Sequence, residues 1–111
     1  MTTILSNALP DLVATIATAL RGEGFAVQAD ELTAARIERW TFDFSANAGY
    51  LYLVQHCPVQ PGETPAARTL PFMGEEWFNI DLRASGEVFG IELLSHEQVF
   101  HQLRSYETGH Q

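Results

Sequence analysis

Three acids fall inside stretches that otherwise read as β-strands: Asp43, Asp81 and Glu92. Each lies opposite the apolar side of its own strand. In one sheet they would line a shared outer side, together with Arg39 and Arg83. Two chemistries fit that pattern. Cross-strand ion pairs would each contribute roughly 0.2–1 kcal/mol. A paired-carboxylate site would do acid–base work, but only if burial or a like-charged neighbour shifts a pKa. Ion pairs are the expected outcome. Tyr50 and Tyr52 share one face of their strand. If Trp40 and Phe42 face the same way, all four are core. If not, the tyrosines form an exposed aromatic patch of the kind that marks an interface. Core is the expected outcome. With Asn47 in the preceding turn, the candidate ligand- or partner-binding set is Asp43, Asn47, Tyr50, Tyr52, Asp81 and Glu92.

The four histidines are His56, His96, His101 and His110, and no two stand three or four residues apart. A helix face therefore offers no ligand pair. His56 and Cys57 are adjacent, so in a strand they point to opposite faces. No metal site and no cofactor are expected. The sequence contains no nucleophile elbow, Gly-rich phosphate loop or Cys-x-x-Cys pair, and no catalytic residue is assigned. Gly49, Gly86 and Gly90 read as backbone residues of turns or bulges. For Gly90, inside a strand, the expectation is a bulge or a close approach by a helix or an aromatic ring.

These side chains need elements to hold them. Residues 7–22 predict a helix, because Leu9, Leu12, Val13, Ile16, Ala17 and Leu20 form one apolar stripe. Asn7 is its expected N-cap, Pro10 sits in its first turn, and Gly22 and Gly24 stop it. Asp30 to Arg36 predicts a short second helix. From Arg36 the period becomes two, with Trp40, Phe42 and Phe44 alternating with Arg39, Thr41 and Asp43. Ser45 to Gly49 has turn chemistry, and Gly49 to His56 completes a hairpin. Four of the five prolines lie between Pro58 and Pro71, so Cys57 to Ala66 is a loop. Ala67 to Met73 is a third strand, and Pro71 confines it to an edge. Trp77 to Arg83 and Glu87 to Leu94 form a second hairpin around Gly86. Phe78, Ile80 and Leu82 share a face, as do Phe89, Ile91 and Leu93. Ser95 and Gln98 have capping-box spacing for a C-terminal helix with Val99, Leu103 and Tyr106 inward and Phe100 beside them. Thr108 to Gln111 is expected to fray.

The chain has 111 residues, long enough for one domain with its own core. Its formal charge is −8, and all six basic residues are Arg. That balance argues against nucleic acid and against anionic membranes, both of which call for a basic face. No apolar run approaches the ~20 residues of a membrane helix. The start carries no signal-peptide pattern, and the lone Cys57 forms no internal disulfide, so the cytoplasm is the expected compartment.

Two blocks resemble the bacterial YuzE-like family, domain of unknown function 2283. One runs from Phe42 to Leu53 around Asp43, Ala46-Asn47-Ala48 and Tyr50-Leu51-Tyr52. The other runs from Asn79 to Leu94 around Asp81, Gly86 and Gly90-Ile91-Glu92. Ala67-Arg68-Thr69 resembles a weaker element between them, and the whole match covers about residues 36–103. Phe42 stands where the family usually has Tyr, Asn47 replaces the commoner Asp, and Arg83-Ala84-Ser85 replaces an acid-rich turn. The last two departures weaken cation binding at those positions. The resemblance implies a small antiparallel β domain with a terminal helix, and brings no activity with it. An antitoxin-like pairing with a small toxin is the interaction that it implies.

The expected fold is α+β, an antiparallel meander of about four or five strands with a helix at each end. Residues 1–35 form a helical extension on the sheet of residues 36–107, in one compact domain. The expected function is a non-enzymatic protein-interaction module with a basic protein partner. The alternatives are a small-ligand-binding domain or enzyme using the carboxylates and tyrosines, and a self-associating homodimer. A homodimer is expected if the aromatic side of the first hairpin stays exposed.

Overall fold

A computed structural model of the chain describes residues 3–54, 68–72 and 77–109. The expected loop at Cys57 to Ala66, His56, Met73 and the last two residues lie outside them. The α+β class holds, with an antiparallel sheet and helices toward both ends of the chain. The sheet has six strands in the order β1-β2-β3-β6-β5-β4. They are β1 (Thr3–Ile4), β2 (Arg36–Asp43), β3 (Ala48–Val54), β4 (Arg68–Phe72), β5 (Trp77–Leu82) and β6 (Val88–Leu94). The helices are α1 (Leu5–Ala8), α2 (Pro10–Gly22), α3 (Ala26–Ala34) and α4 (Glu97–Gly109). The order is not that of a meander, because β3 pairs with β6 and β4 lies at the far edge. Among the described residues no helix is long and apolar enough to cross a membrane.

The first helix is two pieces. Asn7 lies within α1 rather than capping, and Leu9 separates α1 from α2 without a side-chain cap. Pro10 opens α2 because its missing N–H has no helical partner to lose there. The stop is a Schellman motif: Phe25 N–H donates to Leu20 O at 2.8 Å and Gly24 N–H to Arg21 O at 3.1 Å, with Gly24 at φ 89°. The next helix starts earlier than expected, at Ala26, and ends before Arg36. Its apolar stripe is short, and Ala29 and Leu32 alone are buried. Tertiary bonds hold it instead: Gln28 Nε2 donates to Gly86 O at 3.0 Å, and Glu31 Oε2 accepts from Val88 N–H at 2.9 Å.

One face of the sheet is covered. Ile37, Leu51, Leu53, Leu70, Phe78, Ile80, Leu82, Val88, Ile91 and Leu93 meet the helical Leu5, Ile16, Leu20, Leu32, Val99, Phe100 and Leu103 in one buried cluster. Each large side chain so buried contributes about 1.5–3 kcal/mol. Trp40 and Phe42 belong to this inner face, where their rings lie 5.6 and 4.8 Å from that of Phe100. Phe89 does not belong to it. Asp81 pairs with Gly90 and Leu82 with Val88, so Phe89 is the extra residue of a bulge and turns outward. A second bulge in β2 places Glu38 between the Ile37–Leu53 and Arg39–Tyr52 pairs.

Gly86 takes φ 95° in the β5–β6 turn, where Arg83 N–H donates to Glu87 O and Gly86 N–H to Arg83 O. That is the bonding of a three-residue hairpin loop. Gly49 is not a turn residue. It lies in β3, paired with Phe42 and Leu93, and the Phe100 ring occupies the space above it. Ser95 is not the helix cap either. Its φ is 63°, outside the extended region that an N-cap needs, and α4 starts at Glu97. Ser95 N–H instead donates to the carbonyl of Asn47, itself left-handed at φ 50°, at 2.8 Å. Thr108, expected to fray, remains within α4.

Gly49→Ala forces its new methyl group against both the Phe100 ring and the Thr41 carbonyl, and is expected to cost about 1–3 kcal/mol. Gly22→Ala meets open space and lacks that cost. Urea denaturation of the two variants checks the contrast.

Candidate functional site

The opposite face of the sheet carries Arg39, Thr41 and Asp43 from β2, Tyr50 and Tyr52 from β3, and Gly90 and Glu92 from β6. Asn79 and Asp81 of β5 and Thr69 of β4 complete it. Strand alternation puts them there, since each pairs with a residue of the same face. Phe89 joins them through its bulge, 6.5 Å from Tyr50 and 6.1 Å from Tyr52 between ring centroids. Tyr50 and Tyr52 pack at 4.5 Å. They thus form an outer aromatic patch, and the expectation that they share the core face with Trp40 and Phe42 is overturned. Trp77 continues the face at the start of β5 and is 47% exposed.

Tyr50 organises this face. Its hydroxyl donates to Asp81 Oδ2 at 2.5 Å, across the intervening strand β6. The ring crosses β6 over Gly90, where any Cβ would overlap it. Asp81 is held from its other side too, because Thr69 Oγ1 donates to Oδ1 at 2.6 Å. Burial first, then the bond to Asp81 and the negative charge of Asp81 and Glu92, raise the Tyr50 pKa above its ordinary 10.0. The phenol therefore keeps its proton and acts as a donor.

The other candidates are placed as follows. Glu92 Oε1 accepts from Asn79 Nδ2 at 2.7 Å. Asp43 Oδ1 accepts from the backbone N–H groups of Ser45 and Ala46 at 2.9 and 3.3 Å, an Asx turn that shapes the β2–β3 loop. Asn47 belongs to that loop. Asp43, Tyr50, Glu92 and Thr41 line a shallow open depression of about 250 Å³. Tyr52 supports the Arg39 guanidinium, 3.8 Å from its ring centroid. The three acids are thus held by hydroxyl, amide and backbone donors rather than by the expected cross-strand arginines. Arg83 does not reach this side at all. It is 4% exposed and pairs with Glu87 at 3.2 Å.

Thr69, Asn79, Phe89 and Trp77 are members of the face that sequence reasoning missed. Asn79 was legible, as it alternates with Ile80 in step with Asp81. Phe89 was not, because a bulge leaves no mark in the alternation. Among the described residues no group of three His, Cys, Asp or Glu side chains is placed to hold a metal ion. Comparisons with protein-family models, curated proteins and solved structures find no match for this chain.

A tyrosine pKa raised by folding means that the native state holds the proton more tightly than the unfolded chain. The resulting stabilisation is complete below pH 10.0 and is lost as pH rises beyond it. Alkaline titration followed by tyrosinate absorbance is expected to show one phenol that ionises only as the chain unfolds. Tyr50→Phe abolishes that late class and lowers stability by about 1.5–3 kcal/mol, the worth of a hydrogen bond to a charged group.

Proposed function

We propose that this chain is a non-enzymatic protein-interaction module that docks a basic segment of a partner protein on the outer face of its sheet. The observation that carries this reading is the face itself. No described helix covers it, it presents Tyr50, Tyr52, Phe89 and Trp77, and Asp43, Asp81 and Glu92 lie among those rings. Rigid aromatic rings supply contact area at low entropic cost, and tyrosine, tryptophan and arginine dominate binding energy at interfaces. The carboxylates and the −8 net charge favour a basic partner, chiefly by speeding encounter. The Arg39 guanidinium on Tyr52 is an internal example of how a partner's arginine would stack on this face. The Tyr50 phenol, locked as a donor, and Asp81, engaged at both oxygens, support binding rather than proton transfer.

The YuzE-like resemblance adds an antitoxin-like version of the same reading, with a small basic toxin as the partner and the cytoplasm as the compartment. A second reading, a small-ligand site, draws on the depression beside Asp43, Tyr50 and Glu92.

Affinity capture from the source lysate, run in parallel with two variants, tests the interaction reading. The outer-face variant Tyr52→Ala/Trp77→Ala/Glu92→Arg is expected to lose a basic protein that the wild type retains. Glu23→Arg, on the connection after α2, keeps it. The association rate with that protein should fall as salt rises. Equal retention by all three chains overturns the proposal, and so does capture of nothing.

A further inference from the structure

The two edges of the sheet differ. β4 carries Pro71, which has no N–H to offer to another strand. At the other edge the described residues of β1 cover β2 at Arg36 and Ile37, and the Glu38 bulge follows. From Arg39 to Asp43 β2 is regular on its β3 side. No described residue pairs with its other side. Inner-face aromatic groups crowd this stretch. Trp40 and Phe42 are partly exposed, and Phe44 beside them is 61% exposed.

We propose that a second copy of the chain pairs with this edge, β2 against β2 and antiparallel, on a two-fold axis through Thr41. The sequence is self-complementary in that register. On the outer face Arg39 lies opposite Asp43 of the second copy, and Asp43 opposite its Arg39. On the inner face Trp40 lies opposite Phe42, and Phe42 opposite Trp40. Cross-strand partners stand close enough for both kinds of contact. Other registers lose this match. A slip of one residue sets outer against inner faces. Sliding by two sets Arg39 or Asp43 against Thr41, and sliding by four sets like charges together.

Asp43 is oriented by its bonds to Ser45 and Ala46, and Arg39 by the Tyr52 ring, so both charges are held in place before pairing. Glu97 and Arg104 line the slot around Trp40 and Phe42 beside this edge. A strand pair this short falls below the ~1,000 Å² of a stable interface, so the dimer depends on concentration. This edge shares Asp43 with the face proposed for a basic partner and leaves Tyr50, Phe89, Asp81 and Glu92 of that face outside the strand pair.

Sedimentation from micromolar to millimolar protein is expected to show a monomer–dimer equilibrium. Arg39→Asp weakens it about tenfold, by turning two attractive pairs into repulsive ones. Thr41→Cys, in a Cys57→Ser background, decides the register. Residue 41 meets its own copy at ~4.5–5.5 Å between Cα atoms, within disulfide reach. Arg39→Cys in the same background, oxidised at a concentration where sedimentation shows it dimeric, is the control, because its two copies lie about 13 Å apart along the strands. Oxidation should link the Thr41→Cys chains and leave the Arg39→Cys chains unlinked. A monomer at every concentration overturns the proposal. A dimer that fails to link at position 41, or links as readily at position 39, overturns it equally.

Discussion

The outer face of this protein depends on one extra residue in β6. With strict alternation Phe89 would follow Ile91 and Leu93 into the core, and Val88 would face out. The bulge reverses that choice. Val88 goes inward opposite Leu82, and Phe89 goes outward against Tyr50 and Tyr52. A bulge disturbs the ladder locally, so its polar groups need partners. Glu31 of α3 supplies one for the Val88 N–H, and Gln28 ties the same helix to Gly86. A helix with little apolar stripe of its own is thereby fixed by the irregular hairpin that it steadies.

Two glycines extend this logic to both faces of the sheet. Gly49 makes room on the inner face for Phe100, and Gly90 makes room on the outer face for Tyr50. In each case a ring fills the space that a side chain would have taken, and it ties elements that are not neighbours in sequence. Phe100 joins α4 to Trp40 and Phe42. Tyr50 joins β3 to Asp81 across β6. Asp81 and Glu92 of the outer face are held by neutral donors, which leave their negative charge in place. A face that is aromatic and still acidic suits a cationic partner better than another acidic protein.

The sheet edges divide along similar lines. Proline at one edge and a short covering strand with a bulge at the other are recognised ways of blunting a sheet. No described strand covers the stretch from Arg39 to Asp43, which carries opposite charges at its two ends. Outer face and edge meet along β2, where Asp43 belongs to both.

What the residues determined alone is what the backbone period dictates. The stripe from Leu9 to Leu20, the stop at Gly24, both hairpins, the left-handed Gly86 and the shared face of Phe78, Ile80 and Leu82 are local consequences of 3.6- and 2-residue geometry. The three acids opposite the apolar faces of their strands were legible for the same reason. Other features required knowing which surfaces meet. The pairing of β3 with β6 brings Tyr50 within reach of Asp81. Burial of Arg83 beside Glu87 takes it off the outer side, and the contact of Ser95 with Asn47 holds both in left-handed conformations. Period sets the direction in which a side chain leaves the backbone. Only tertiary packing decides what it finds there, because long-range pairing and bulges depend on the sum of many contacts rather than on any local run of residues.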